Sequence, residues 1–279
     1  FQGAGVQARG ALRLLSAAPS FEAKGREGLL LLTNGRGAMA RLQADLGAIA
    51  SKYDCLLAAN LHPDCPSDRH VLAKRLRAWV NADGFLTALD GESLLDVEPG
   101  PPARWRFLAH AGDGRTVELR LEAAFAEGRN ALRLRLSRPG GPPPKGAALP
   151  PDRAVGITLR VDLEDRSFHG ETRACPEADA FFRQATVALD DAPGFRFRAA
   201  PDRALEARAS SGRFHPEPEW SLGVPHPVEA SRGQADRGDA WSPGWFELPL
   251  PEGGCVELLL EAEPAGAAPF EAPPLPNGG

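Results

Sequence analysis

The chain contains 279 residues, of which 43% are hydrophobic, and it carries a formal net charge of −5 with a pI of about 5.8. This length can bury a substantial core in one large domain or two smaller ones. The mildly acidic charge gives no electrostatic reason to expect nucleic acid or an anionic membrane as a partner, and no apolar run is long enough to span a membrane.

The four cysteines, Cys55, Cys65, Cys175 and Cys255, lack the paired spacing of zinc ligands. Cys55 and Cys65 are near enough in sequence to be bridged, but free buried thiols in a reducing compartment are favoured. We therefore expect a cytoplasmic protein with no metal and no cofactor.

Neither end of the chain carries a core pattern. Phe1-Gln2-Gly3 resembles the remnant of a cleavable tag, so residues 1–10 are interpreted as that remnant and a flexible N-terminus. A short apolar segment at 11–17 opens the predicted domain, which extends to residue 263. The residues 264–279, rich in Pro, Gly and Ala, indicate a tail or a linker.

Short strand-like segments, separated by turn signals, recur along the chain. The predicted strands lie at 28–32, 53–61, 69–80, 85–89, 105–109, 117–125, 132–136, 157–163, 181–189, 195–199, 204–209, 246–250 and 255–262. Apolar and polar residues alternate through 117–125 and 132–136, which predicts a β-hairpin with one solvated face. There is no long amphipathic helix pattern and no βαβ alternation. The sequence therefore predicts an all-β fold, a large sandwich of two stacked antiparallel sheets.

The least ordinary segment is 229–248, EASRGQADRGDAWSPGWFEL. Its charges require partners wherever they are buried. Pro243-Gly244 predicts a tight turn, because proline presets φ and glycine accepts a positive φ. We expect an ordered, ion-paired loop that leads into the strand at 246–250. A structural turn clamped by Arg–Asp pairs and a loop that contacts a ligand both remain open.

Sugar-binding surfaces combine flat aromatic side chains with polar groups, and the tryptophans are therefore candidates. Trp220 and Trp241 lie in polar segments rich in Pro and Gly, where exposure is expected, and Trp245 follows the Pro-Gly pair. Trp79 and Trp105 lie in strand patterns and are expected in the core.

Acid–base chemistry would need carboxylates in suitable surroundings. Asp54, Asp165, Glu229 and Asp239 all lie close to basic residues in the sequence. Ion pairing lowers the pKa of a carboxylate, which is the wrong direction for a general acid. We therefore expect these acids to fix loops and predict no catalytic residue. A His169–Glu229 pair, imitating an aldose epimerase, is the remaining catalytic alternative.

Several segments, in order, resemble the N-terminal region of prokaryotic glycogen debranching enzymes of the amylo-α-1,6-glucosidase type. The segments are 33–37 (TNGRG), 52–59 (KYDCLLAA), 69–72 (RHVL), 165–169 (DRSFH) and 229–244, with its EASRG, Asp239 and SPG. The resemblance runs from about residue 29 to residue 263. The chain departs from it at 51–55, where SKYDC replaces the family's RRYHG and removes a histidine and a basic charge.

The resemblance implies a β-supersandwich like that of glucoamylase N-terminal domains and of galactose mutarotase. It also implies an adjoining (α/α)₆ barrel that carries the catalytic carboxylates and is not present in this chain, so that 264–279 would be the linker to it. The substrate-binding candidates that it adds to Trp220, Trp241 and Trp245 are Lys52, Asp54, His169, Glu229, Arg232 and Asp239.

We therefore expect a non-catalytic N-terminal domain that supports or binds α-glucan, such as glycogen, beside a barrel of the same polypeptide or a partner chain. Two alternatives remain. One is a self-sufficient carbohydrate enzyme, an aldose epimerase or glycoside hydrolase, that uses His169 with Glu229 or Asp54. The other is a scaffold or interaction module whose sugar site has decayed, as the departure at 51–55 suggests.

Overall fold

The computed structural model describes residues 28–62, 65 and 68–263. The tag remnant and flexible N-terminus expected at 1–10, the apolar segment at 11–17 and the tail at 264–279 lie outside the described residues.

The described residues form nineteen strands and two short helices, numbered here in chain order. The strands are β1 (Leu29–Thr33), β2 (Met39–Gln43), β3 (Cys55–Asn60), β4 (Arg69–Ala82), β5 (Phe85–Ala88), β6 (Leu94–Glu98), β7 (Ala103–His110), β8 (Arg115–Phe125), β9 (Ala131–Ser137), β10 (Ala147–Ala148), β11 (Val155–Ser167), β12 (Thr186–Ala188), β13 (Gly194–Ala200), β14 (Arg203–Ala209), β15 (Arg213–His215), β16 (Glu219–Pro225), β17 (Arg237–Ser242), β18 (Trp245–Pro249) and β19 (Cys255–Glu263). The helices are α1 (Pro176–Ala185) and α2 (Pro227–Ala230).

These strands build two sheets that are antiparallel except where β10 pairs with β8. Sheet A has the order β1-β2-β3-β4-β11-β17-β16, with β5 beside β4, and with β18 lying between β11 and β15. Sheet B has the order β12-β13-β14-β19-β9-β8-β7-β6. The predicted all-β antiparallel sandwich is confirmed, and so is the hairpin, formed by β8 and β9.

Each sheet buries one face because its strands alternate in polarity. In β7 the residues 103, 105, 107 and 109 are all buried, while the residues between them are not. On the solvated face Arg104 bonds Glu122 at 2.8 Å and Arg106 bonds Glu118 at 3.0 Å. The inward faces share one core that contains the fully buried Trp105, as the strand pattern predicts. Apolar burial between the sheets therefore holds the sandwich together.

The strand predicted at 181–189 is wrong over most of its length, because helix α1 ends only at Ala185. The helix has clear start signals, with Pro176 at its first position and Glu177 and Asp179 in its first turn. The Cys175 sulfur accepts a hydrogen bond from the backbone N–H of Ala178 at 3.4 Å. The apolar Phe181 and Phe182 concealed these signals.

Pro243-Gly244 does not form the predicted tight turn. β17 and β18 both run antiparallel to β11, with Trp241 opposite Leu163 and Phe246 opposite Leu159, so the chain kinks without reversing. A side chain on Gly244 would collide with the carbonyl oxygen of His215 in β15. The pair therefore lets a bent strand stay within the sheet, and the loop expected over 229–248 is confined to the residues before β17.

The turn before β3 packs directly on β4 through Gly47. Gly47 has a φ of +83°, and a Cβ at this position would lie 2.8 Å from the carbonyl oxygen of Leu76. We expect Gly47→Ala to lower the free energy of unfolding by about 1–2 kcal/mol, because both the conformation and the contact disfavour a side chain. Urea unfolding measures this value.

Gly128→Ala is the matched control, since Gly128 has a φ of +68° but a Cβ added there would meet no atom within 4 Å. The difference between the two variants isolates the contact with Leu76. Equal losses of unfolding free energy in the two variants would mean that the contact between Gly47 and Leu76 does not contribute.

Candidate functional site

Three chain segments converge at one end of sheet A and form what we call the loop cluster, residues 50–54, 164–169 and 226–229. The backbone N–H of Val228 donates to the Ala50 carbonyl at 3.1 Å. Arg166 donates through Nη2 to the Lys52 carbonyl at 2.6 Å. The segments are far apart in sequence and meet because β3, β4 and β11 are neighbours in the sheet and because 226–229 connect β16 to β17, which pairs with β11.

Glu229, a candidate from the sequence, is 1% exposed and anchors the cluster. Its carboxylate accepts hydrogen bonds from the Ser51 hydroxyl at 2.7 Å and from the Lys52 backbone N–H at 2.9 Å. Burial alone would raise the pKa of Glu229, but these hydrogen bonds outweigh burial and hold it below its usual range. Glu229 is therefore an ionised clamp between α2 and the loop at 50–54.

Buried cations complete this polar interior. Lys74 is 1% exposed, and its ammonium group donates to the Lys52 carbonyl at 2.8 Å. Burial lowers the pKa of Lys74. Arg166 pairs with Glu164 at 2.8 Å, and both side chains are buried. These buried charged groups form a hydrogen-bonded ionic network, beside which the buried His226 has no hydrogen-bond partner for either ring nitrogen among the described residues.

Asp54, another candidate, is 1% exposed and turns the chain into β3. It pairs with Arg41 and accepts from Gln43 at 2.9 Å. The backbone N–H groups of Ala50 and Ser51 also donate to it, at 2.7 Å and 3.0 Å. These donors occupy both carboxylate oxygens.

The outer side of the loop cluster presents Lys52, Tyr53 and His169. The Tyr53 hydroxyl lies 3.2 Å from Nδ1 of His169, and the Lys52 ammonium group donates to the His169 carbonyl at 3.2 Å. The rings of Tyr53 and Phe168 are 5.0 Å apart. Lys52 and His169, both predicted candidates, therefore do lie together on one accessible surface with Tyr53.

The structure corrects the expected exposure of Trp241, which lies in β17 and is only 2% exposed. Its ring stacks on Phe182 of α1 with centroids 5.3 Å apart. Trp220, in β16, meets Phe182 edge-on and donates to Asp179 at 3.0 Å. Both tryptophans therefore pack α1 against sheet A, to which β16 and β17 belong.

The remaining candidates in 229–248 lie apart from one another. Asp239 accepts from the backbone N–H groups of Ala174 at 2.9 Å and Gly223 at 2.8 Å, so it fixes the backbone. Arg232 is exposed on the loop after α2. The one Arg–Asp pair that forms within this segment joins the exposed Asp236 and Arg237 at 2.9 Å.

Trp245 lies on the outer face of sheet A, the face turned away from the core. Its ring stacks on His215 at 3.9 Å, with an angle of 11° between the planes. Its indole N–H donates to Glu217 at 3.1 Å. One of its faces is thus covered by the imidazole.

The same outer face carries a charge network that sequence reasoning missed. Asp162, fully buried, accepts from Nε of Arg75 at 2.6 Å and from Nη2 of Arg77 at 2.8 Å. The Ser221 hydroxyl also donates to it, at 3.2 Å, and Arg77 reaches Glu219 at 2.7 Å. The network links β4, β11 and β16 across the sheet.

A cleft of about 260 Å³ lies beside this network. Trp79 lines it and is half-buried, so the core position expected for Trp79 is wrong. The signal was present in the sequence, because Leu76 and Val80 face the core and period-two alternation places Trp79 on the opposite face.

No three His, Cys, Asp or Glu side chains among the described residues lie close enough to hold a metal ion. Neither helix in the described ranges is long and apolar enough to cross a membrane.

Comparison with known proteins identifies the family. A family model described as the glycogen debranching enzyme N terminal matches residues 29–257. No curated protein matches the chain.

Among solved structures, a bacterial glucoamylase complexed with acarbose is 7% identical over 87% of this chain, with a TM-score of 0.42. A GalM/aldose epimerase homologue from C. elegans is 13% identical, with a TM-score of 0.44, and 84% of this chain and 98% of that chain are covered. The chain spans 34% of the length of the glucoamylase. Since the family model covers most of the chain, from Leu29 in β1 to Glu257 in β19, this protein belongs to the glycogen debranching enzyme N-terminal family.

Proposed function

We propose that the chain is a non-catalytic domain that binds α-glucan, such as glycogen, and supports a catalytic barrel in the same polypeptide or in a partner chain. The observation that carries this proposal is the hydrogen bonding of the acidic side chains in the segments that resemble the family. Their oxygens are occupied by donors from the protein's own loops.

A glycoside hydrolase needs two carboxylates on opposite sides of a sugar, one of them with a raised pKa. Asp54, Glu229 and Asp239 each accept at least two hydrogen bonds, and backbone N–H groups contribute to all three sets. The pKa of Glu229 is held low. In Asp165, burial is outweighed by His70 and Arg203, which hold the pKa of that carboxyl below its usual range. These acids fix loops, which favours a non-catalytic role.

The epimerase alternative needs a carboxylate beside His169. The ring of His169 instead lies at hydrogen-bond distance from the Tyr53 hydroxyl, and no hydrogen bond or ion pair joins it to a carboxylate within the described ranges. Glu229 and Asp54 are both committed to other donors. The geometry therefore supports binding more than turnover.

Accessible aromatic and polar groups support sugar binding. Tyr53, Lys52 and His169 share the surface of the loop cluster, and Trp79 and Trp245 lie on the outer face of sheet A. Cys55, Cys175 and Cys255 form no disulfide among the described residues, which supports a cytoplasmic location.

Affinity electrophoresis in gels that contain glycogen or amylose tests the function. We expect the chain to be retarded by both polymers and not by a β-linked glucan of similar size, because glycogen, from which the family takes its name, is an α-glucan. Incubated with α-1,6-branched dextrin, the chain alone should release no glucose.

Equal mobility in all gels would contradict glucan binding. Release of glucose, abolished by Glu229→Gln, would contradict the non-catalytic role and return the choice to a hydrolase.

A further inference from the structure

We infer that the cleft beside Trp79 on the outer face of sheet A binds a glucosyl unit of a neutral α-glucan, with Trp79 as the stacking surface and Arg75 as the hydrogen-bond donor. This inference rests on the proposed function and assigns it a location. The cleft is called the Trp79 cleft below. None of the nine candidates taken from the sequence lines it.

The shape of the cleft suits one sugar ring. Its floor is the outer face of β4, from Arg75 to Trp79, and its walls are the turn 45–48 and the residues 88–90 at the end of β5 and just after it. Its volume of about 260 Å³ lies just below the range of about 300–1,000 Å³ for drug-sized ligand sites, which suits a single sugar ring. The turn 45–48 packs closely on β4 because Gly47 has no side chain to collide with the carbonyl oxygen of Leu76.

Trp79 supplies the apolar surface that a sugar ring needs. It points away from the core, since its neighbours Ala78 and Val80 are buried on the inner side of β4. The guanidinium carbon of Arg77 lies 5.8 Å from the centre of the indole, which restrains the ring. A half-buried tryptophan that is already ordered loses little conformational entropy when a ligand stacks on it.

Arg75 supplies donors for sugar hydroxyls. It bonds Asp162 through Nε alone, at 2.6 Å, so its two terminal amino groups have no hydrogen-bond partner among the described residues. Arg77 has fewer donors to offer, because Asp162 and Glu219 take its Nε and Nη2 and leave only Nη1. The buried Asp162 holds Arg75 in place and leaves its outer donors directed to solvent.

The charge balance of the cleft favours a neutral sugar over an acidic one. In the network, Asp162 and Glu219 face Arg75, Arg77 and also Arg160, which lies 3.6 Å from Glu219. Two further acids, Asp45 and Asp90, line the cleft. A sulfated or uronic acid sugar would meet these carboxylates, whereas the hydroxyls of a neutral glucan can accept from Arg75.

The outer face could instead be covered by another protein domain. A stable protein–protein interface buries a broad surface, and the centre of that surface contains few charged residues. Here the centre of the face is the charged network of Arg75, Arg77 and Asp162, and the concave feature has the size of a small ligand. A sugar therefore fits the observations better, and a protein contact becomes an outcome of the test.

Calorimetric titration of the full chain with maltoheptaose tests the inference. We expect Trp79→Ala to weaken binding by about tenfold or more, and Arg75→Gln to weaken it severalfold. Leu222→Ala is the control, because Leu222 is an exposed apolar side chain of β16 in sheet A that does not line the cleft. Its loss should be less than about twofold.

The outcomes separate the site from the function. If the wild-type chain binds no maltoheptaose or glycogen, the proposed function fails. If the wild-type chain binds and Trp79→Ala binds equally well, the Trp79 cleft is not the site and the function stands. Should Trp79→Ala fail to fold, judged by circular dichroism, Trp79→Phe and Arg75→Gln decide in its place. A change in tryptophan fluorescence that appears with an added catalytic domain but not with maltoheptaose, and that Trp79→Phe abolishes, would overturn the inference in favour of a protein contact.

Discussion

Asp54→Ala is expected to lower the free energy of unfolding by about 3–5 kcal/mol, the range found when one partner of a buried ion pair is removed. The Asp54 carboxylate is 1% exposed, and it pairs with Arg41. Without it, the guanidinium of Arg41 loses its partner in a largely desolvated place. The backbone N–H groups of Ala50 and Ser51 lose their acceptor as well.

The variant should also loosen the segment between β2 and β3, because Asp54 holds both of its ends. Gln43 donates to Asp54 from the end of β2 at 2.9 Å, and the loop at 50–51 donates from the other side. The same segment forms one wall of the Trp79 cleft. We therefore expect weaker binding of maltoheptaose in addition to lower stability.

Urea unfolding followed by tryptophan fluorescence measures the first effect. Asp236→Ala is the matched control, because Asp236 also pairs with an arginine but both partners are exposed. An exposed pair of this kind contributes little, so the unfolding midpoint of this variant should equal that of the wild type. Equal midpoints for both variants would show that the Asp54 network carries no stability.

Strands were predictable from the sequence wherever one of their faces is exposed to solvent. In β8 and β9, apolar residues alternate with charged ones, and this period directly specifies a pleated strand with one buried side. β2 was missed because the polar Arg41 and Gln43 leave it few large apolar residues, and β15 and β16 were missed because Pro216 and Pro218 lie between them. α1 was missed because the aromatic Phe181 and Phe182 favour a strand, although Pro176 and the acidic residues after it are typical of a helix start.

The tryptophans show why local polarity is a poor guide to exposure. The charges around Trp241 predicted a loop, but Gly238, Ala240 and Trp241 are buried in an internal strand. Trp79 lies in a strongly apolar strand and yet faces outward, because alternation decides the side and polarity does not. Which tryptophan a ligand could reach depends on the register of β4 in the assembled sheet.

The loop cluster was predictable in part. The family-like segments did identify residues that meet in space, because Lys52 and Glu229 are joined although 177 positions separate them. Local patterns contain no information about that pairing, which depends on the order of strands in sheet A. Hence the sequence identified the segments, and only the fold gave Glu229 and Asp54 their structural roles.

His226 is expected to make the protein lose stability as the solution becomes mildly acidic. Its side chain is 2% exposed, and both of its ring nitrogens lack a hydrogen-bond partner among the described residues. Burial, and then the charge of Lys74, lower the pKa of His226 from 6.5 to about 4, with Arg166 acting in the same direction and with Glu229 and Glu171 opposing them.

The direction of the effect follows from proton uptake. The unfolded chain binds a proton at His226 near pH 6.5, whereas the folded chain resists protonation until about pH 4. Stability from the neutral imidazole is therefore complete above pH 6.5 and is lost as the pH falls toward 4, by about 3 kcal/mol in total. Glu229, whose pKa is lowered from 4.5, contributes stability that is lost only below pH 4.5. The interval between pH 6.5 and 4.5 therefore isolates His226.

Urea unfolding across this interval measures the slope for the wild type and for His226→Leu. We expect the variant to keep most of its stability at neutral pH, because it removes two unsatisfied nitrogens, and to lose much less on acidification. His110→Leu removes an exposed imidazole and controls for the substitution itself. If the free energy of unfolding of His226→Leu falls between pH 6.5 and 4.5 as steeply as that of the wild type, the buried imidazole does not govern acid stability. Another group must then take up the proton in this interval.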